Sequence, residues 1–123
     1  MGVEGRTTVS NNVFQQIVEF VLRGMDDIVD KKDLPKGFPT NLFRKLTPQA
    51  VVTTDDNPDL DFGDVSLELK LTIIYGIKIP DVAANVRKEL VKVVEELTGY
   101  KVTKIDVVID KIVSMEELEP AEK

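Results

Sequence analysis

Eleven consecutive residues, Val65 to Tyr75, alternate between apolar and polar side chains, and this run constrains the fold more than any other part of the chain. Val65, Leu67, Leu69, Leu71, Ile73 and Tyr75 take the odd positions. Ser66, Glu68, Lys70 and Thr72 take the even ones, until Ile74 breaks the pattern. Successive side chains of an extended strand point to opposite faces, so the run demands a sheet with one buried face and one wet face. At 3.3 Å per residue it would reach ~36 Å, beyond the usual strand length, so a twist or bulge is expected along it.

The residues that follow specify a cover for the buried face. Gly76 allows a tight turn. Pro80 suits the first helical position, where its missing N–H costs nothing, and Asp81 complements the positive end of the helix dipole. Val82, Val86, Leu90, Val93 and Leu97, widened by Ala83 and Val94, recur at three- and four-residue steps and form the stripe expected to be buried. Gly99 supplies a left-handed stop. Lys101 to Val113 then reads as a closing strand, with Ile105, Val107 and Ile109 on one face and Lys104, Asp106 and Asp110 on the other.

Upstream, Glu4 to Val9 is β-prone and reads as a first strand, after which Ser10 offers a side-chain oxygen to cap a helix. Phe14, Ile17, Val18, Val21, Met25 and Ile28 mark one helical face within Val13 to Val29. Gly24 weakens that helix by about 1 kcal/mol relative to alanine and marks an end or a kink. Gln49 to Thr54 reads as a strand, and Asp55 to Asp64 as the tip of a hairpin. The expected order is β-α-β-β-α-β. The economical architecture is α+β: a two-layer sandwich, with one sheet of about four strands and two helices on one face.

One domain is expected over residues 1–114, followed by an acidic tail at 115–123 that frays. Residues 30–48 form an irregular insertion with three of the six prolines. Leu34, Phe38, Leu42, Phe43 and Leu46 are too apolar for a solvated loop, so the insertion is expected to pack onto the domain.

Composition removes most catalytic chemistry. There are no cysteines, which excludes disulfides and thiolate metal sites. There are no histidines, which removes the commonest general base and transition-metal ligand. The formal net charge of −6 opposes generic binding to phosphate backbones. No window approaches the ~20 apolar residues of a membrane helix, and the N-terminus has no apolar core of signal-peptide length. The chain is therefore expected to be soluble and cytoplasmic, reaching a membrane only through a partner.

The residues that invite a site are few. Asp55, Asn57, Asp59 and Asp61 have the spacing that begins a calcium loop, but the sixth position is Leu60 instead of glycine and the twelfth is Ser66 instead of glutamate. They read as an acidic, solvated tip, and neither metal nor cofactor is expected. Lys31, Lys32, Lys36, Arg44 and Lys45 read as a solvated basic surface before an acidic-lipid site. Tyr75-Gly76 reads as a turn with an unusual backbone angle, the tyrosine closing the core edge. Strand parity places Ile74, Val108 and Ile112 on the face opposite the core, an apolar cluster suited to contact. Its cover is expected to be either the chain's own Leu34 to Leu46 or a second subunit.

Several of these pieces together resemble the alkaline shock protein family, the Gls-type general stress proteins. The resemblance rests on Gly5 to Ser10, Tyr75-Gly76, Ile79-Pro80-Asp81-Val82-Ala83, Thr98-Gly99 and the strand Val102 to Ile109, and it is strongest over residues 65–113. The chain departs from the family pattern after the first helix, at Leu22-Arg23-Gly24-Met25 and the long insertion. The resemblance implies a non-enzymatic envelope-stress or alkaline-stress protein that self-associates. It implies an interaction or scaffold role at the cytoplasmic face of the membrane, through an anchored partner such as a membrane-bound homologue. The alternative is a small nucleic-acid-binding module with a KH-like layout. Such modules join two helices by a glycine-flanked phosphate loop or expose aromatics on the sheet. No glycine pair at that spacing joins the two helices expected here, and Glu68, Lys70, Asp106 and Asp110 hold the outward strand positions.

Overall fold

A computed structural model describes residues 7–29, 46–56 and 63–114. Among them are α1 (Asn11–Arg23), β1 (Gln49–Asp56), β2 (Gly63–Ile74), α2 (Ile79–Thr98) and β3 (Lys101–Val113). The sheet has three strands in the order β1-β2-β3. β1 runs antiparallel to β2, from Gln49 opposite Lys70 to Asp56 opposite Gly63, and β3 runs parallel to β2. The fold is α+β with two helices on one face. The expected fourth strand is not found: Thr7 to Val9 are not in a strand, and Glu4 to Arg6 lie outside the described residues.

The alternation of β2 converts directly into the core. Val65, Leu67, Leu69, Leu71 and Ile73 are buried and meet Phe14, Val18 and Leu22 of α1 and Val82, Val86, Leu90 and Val94 of α2. Two expectations about helical stripes need correction. Leu97 is 69% exposed, because the buried stripe of α2 steps by four through Val82, Val86, Leu90 and Val94 and turns Leu97 toward water. On α1 the four-residue steps Phe14, Val18 and Leu22 are buried, whereas Ile17, Val21 and Met25 are half-buried. Tyr100, just after the Gly99 stop, is the aromatic that fills the core. It is 1% exposed and meets Phe14 edge-on, with ring centroids 5.1 Å apart. Tyr75, expected to close the core edge, is instead 76% exposed.

Helix ends follow local chemistry. Ser10 is the N-cap of α1, but its side chain makes no capping bond; its carbonyl accepts the N–H groups of Val13 and Phe14. α1 stops at Gly24, where N–H groups reach back three residues and tighten the last turn. The chain then reaches the sheet. Ile28 bridges Ile73, Val29 N–H donates to Thr72 O at 2.8 Å, and Ile74 N–H donates to Asp27 O at 3.3 Å. Residues 27–29 thus occupy the side of β2 that β1 leaves free beyond Gln49. α2 begins at Ile79, so Pro80 sits one position later than expected, still among the N–H groups without an intrahelical partner. Gly99 ends it with φ +77°, and the Thr98 hydroxyl bonds Val94 O at 2.6 Å.

The long strand is accommodated by register shifts. Partners step by one extra residue of β3 between Val65 and Ser66 and again between Leu71 and Thr72, leaving Thr103 and Asp110 as the unpaired extras. Such bulges increase local twist.

Two measurements test this packing. Phe14→Ala should lower unfolding free energy by about 3–5 kcal/mol, whereas Leu97→Ala should change it by about 0.5 kcal/mol or less. Equal losses in urea denaturation would overturn the assigned α2 phase. Gly76 holds φ +100° with open space around its Cβ position, so Gly76→Ala should cost roughly 1–2 kcal/mol through backbone strain alone. An unchanged melting temperature would refute that account of the turn.

Candidate interaction surface

The face of the sheet away from the helices is built in rows by the register. Thr53, Ser66 and Lys104 form one row, Val51, Glu68 and Asp106 the next, and Gln49, Lys70 and Val108 a third. Lys104 and Asp106 pair at 3.3 Å, both well exposed. A shallow depression of ≈ 230 Å³ lies over the first two rows. This half of the face is polar, with Val51 and Val108 as its apolar members.

Farther along β2 the face becomes apolar. Thr72 lies beside Val29, and Ile74 beside Val113. Val29 and Val113 are buried, with Leu46 and Ile74 packed against them in a second, smaller cluster. Leu46 thus places the end of the insertion on this face. The rest of the expected cover, Leu34, Phe38, Leu42 and Phe43, lies outside the described residues, as do the basic residues Lys31, Lys32, Lys36, Arg44 and Lys45.

The three residues proposed from strand parity do not form one patch. Ile74 and Val108 face outward. Val108 is 41% exposed but pairs with Lys70, four residues before Ile74, a separation of ~13 Å along the strand. Ile112 does not share their face. The extra residue at Asp110 inverts parity, so Ile112 partners Ile73 and Val113 partners Ile74. Strand parity misses Val29 and Val113 as members of this face. Simple alternation cannot see a bulge, and Val29 sits beyond a helix end where no period applies.

The other positions of the motif punctuate the β2-α2-β3 unit. Gly76 and Gly99 hold the two positive backbone angles among the described residues, Val82 is buried, Ala83 half-buried, and Ile79 and Pro80 exposed. On the helix side, a groove of ≈ 550 Å³ lies between the end of α1 and the first half of α2, lined by Val21, Met25 and Val82 and by the carboxylates Asp26, Asp27 and Glu89. Among the described residues, no group of three acidic side chains is spaced to hold a metal ion. Of the calcium-like positions, Asn57, Asp59 and Asp61 lie outside the described residues.

Compared with known families, the chain matches the alkaline shock protein family, described as having a cell envelope-related function, over residues 2–114. The match takes in both helices, all three strands and the insertion, and the chain belongs to this family. No solved structure matches it.

The two halves of the outward face should respond differently to charge. Val113→Asp places a carboxylate among Val29, Leu46 and Ile74 and should destabilise by about 3 kcal/mol or more. Val108→Glu should change stability by about 0.5 kcal/mol or less. Comparable losses of melting temperature in both variants would show that Val108 is covered.

Proposed function

We propose that this chain is a non-enzymatic interaction module of the cell-envelope stress response, held near the cytoplasmic face of the membrane by a protein partner. Membership of a family with a cell envelope-related function over residues 2–114 carries this reading. Two physical facts support the indirect link. Among the described residues no helix is long and apolar enough to cross a membrane. A net charge of −6 does not draw a chain to an anionic bilayer. These properties favour attachment through another protein over direct contact with the bilayer.

The absence of histidine and cysteine from the sequence removes the usual nucleophile-and-base pairs, which supports binding over catalysis. The outward sheet face also fits a protein contact better than a nucleic acid. Glu68 and Asp106 sit side by side at its centre, and its described positions carry no aromatic ring on which a base would stack. The one G-x-x-G in the chain, Gly2 to Gly5, precedes α1 instead of joining two helices.

Fractionation tests the proposal. In cells under alkaline stress the protein should sediment with membranes, be released by a high-salt or carbonate wash, and fail to bind protein-free anionic vesicles. Equal retention on protein-free vesicles would replace the partner with lipid. A wholly cytosolic distribution under stress would sink the envelope reading for this chain.

A further inference from the structure

The groove between the helices combines an apolar lining with carboxylates. α1 and α2 run antiparallel. Phe14, near the start of α1, meets Tyr100 just past the end of α2, while Met25, past the end of α1, shares the groove with Val82 near the start of α2. Val21, Met25, Val82 and Val93 supply the apolar lining of its ≈ 550 Å³, and Asp26, Asp27 and Glu89 the charged lining. No lysine or arginine is among its described lining residues. Lys88 and Lys92 lie on α2 without lining it, and Arg23 stacks on Phe20, 5.2 Å from the ring centroid.

The apolar lining continues beyond the groove. Ile17 and Val13 lie one and two turns before Val21 on the same flank of α1, with Phe20 beside them. Leu97 lies one turn after Val93 on α2. Phe20 is 70% exposed, Leu97 69% and Val13 41%. Single exposed apolar side chains are ordinary on a protein surface. These three border one seam, which runs from the groove toward the end of α2. From Val13 to Met25 it extends ~18 Å at 1.5 Å per residue.

The chemistry of this seam selects its occupant. Both walls are helices whose backbone groups bond along their own length, so an extended strand would find nothing to pair with. Side chains alone must bind. Apolar positions repeating every turn over ~18 Å match the stripe of a helix of about three turns. Among the described residues no buried side-chain polar atom lacks a partner, so the groove holds no fixed donor or acceptor to orient a small molecule. Three carboxylates without a lining base call for positive charge opposite them.

We infer that the seam docks a cationic amphipathic helix of a partner protein. The apolar stripe of that helix lies along Val13, Phe20, Val93 and Leu97, and its lysines or arginines reach Asp27 and Glu89. This rests on the reading of the chain as an interaction module and assigns the segment its partner presents. A membrane-anchored partner carries Lys and Arg beside its spans on the cytoplasmic side, so a segment of this charge is at hand there. The carboxylates gather where α1 ends and α2 begins, so the basic turn of the incoming helix sits at that end.

A synthetic peptide tests this. The probe has about 14 residues of Ala, Leu and Lys, with leucines at three- and four-residue steps and lysines in its last turn. Fluorescence anisotropy with the full chain should give a Kd of about 10–100 μM, and about tenfold weaker binding when Glu replaces Lys in the peptide. Glu89→Lys should weaken the lysine peptide about tenfold, whereas Glu68→Lys, the same charge change on the outward sheet face, should leave it unchanged. Phe20→Ala combined with Leu97→Ala should weaken it about fivefold. Circular dichroism should stay the same in every variant, since none of these side chains is buried. Should one variant misfold, the other and the exchange of peptide charge decide. No binding by the native chain, equal binding of the two peptides, or equal losses in Glu89→Lys and Glu68→Lys would each overturn the assignment. If the native chain failed to bind and Lys31→Ala with Lys32→Ala and Lys36→Ala restored binding, the chain's own insertion would be the occupant in place of a partner. No membrane enters these readouts, so their failure leaves the partner-held reading standing. A wholly cytosolic distribution under stress would in turn leave the groove's preference for a basic helix intact.

Discussion

Burial of the odd-numbered side chains of β2 organises the whole molecule. Val65 through Ile73 form one dry row, and both helices reach it. Each helix also covers one neighbouring strand, so neither α1 nor α2 can leave without exposing part of the same row. β2 is also the only described strand with partners on both sides along its length: β1 and then residues 27–29 on one side, β3 on the other. A strand held on two edges and one face leaves just its outward face for contact with water or another molecule.

That outward face is divided by the same strand. Near the start of β2 it is polar and shallow. Near the end it buries Val29 and Val113 with Ile74 and Leu46, so the apolar part is already engaged within the chain. Among the described residues, the surfaces open to other molecules include Val51 and Val108 on the outward face, the groove between the helices and the outer side of β3. This arrangement suits a module that binds by its edges and faces. A chain without histidine or cysteine, in a family with a cell envelope-related function, is consistent with that use.

Closure of the edges comes from long polar side chains on the helices. Asn11 and Gln15 come from the flank of α1 beside β1, and Arg87 and Glu95 from the flank of α2 beside β3. Each reaches past the strand to a backbone group that the ladder leaves unpaired. The same residues read in sequence as ordinary solvent-facing positions of amphipathic helices. Their role exists only once the helices lie along the edges.

Local patterns were enough to specify both helices, the three strands, the buried side of β2, the glycine stops and the family. Period-two alternation, helical stripes and positive-φ glycines act within a few residues, so they are written in the order of the chain. Residues 82, 86 and 90 lie where the helical stripe puts them. Packing between distant segments made Tyr100, and not Tyr75, fill the core, left Leu97 in water and brought residues 27–29 into the sheet. It also moved Ile112 to the face of Ile73. These outcomes depend on where one element ends against another and on an extra residue in a paired strand. Both are set by contacts between segments far apart in the chain, which no local pattern records.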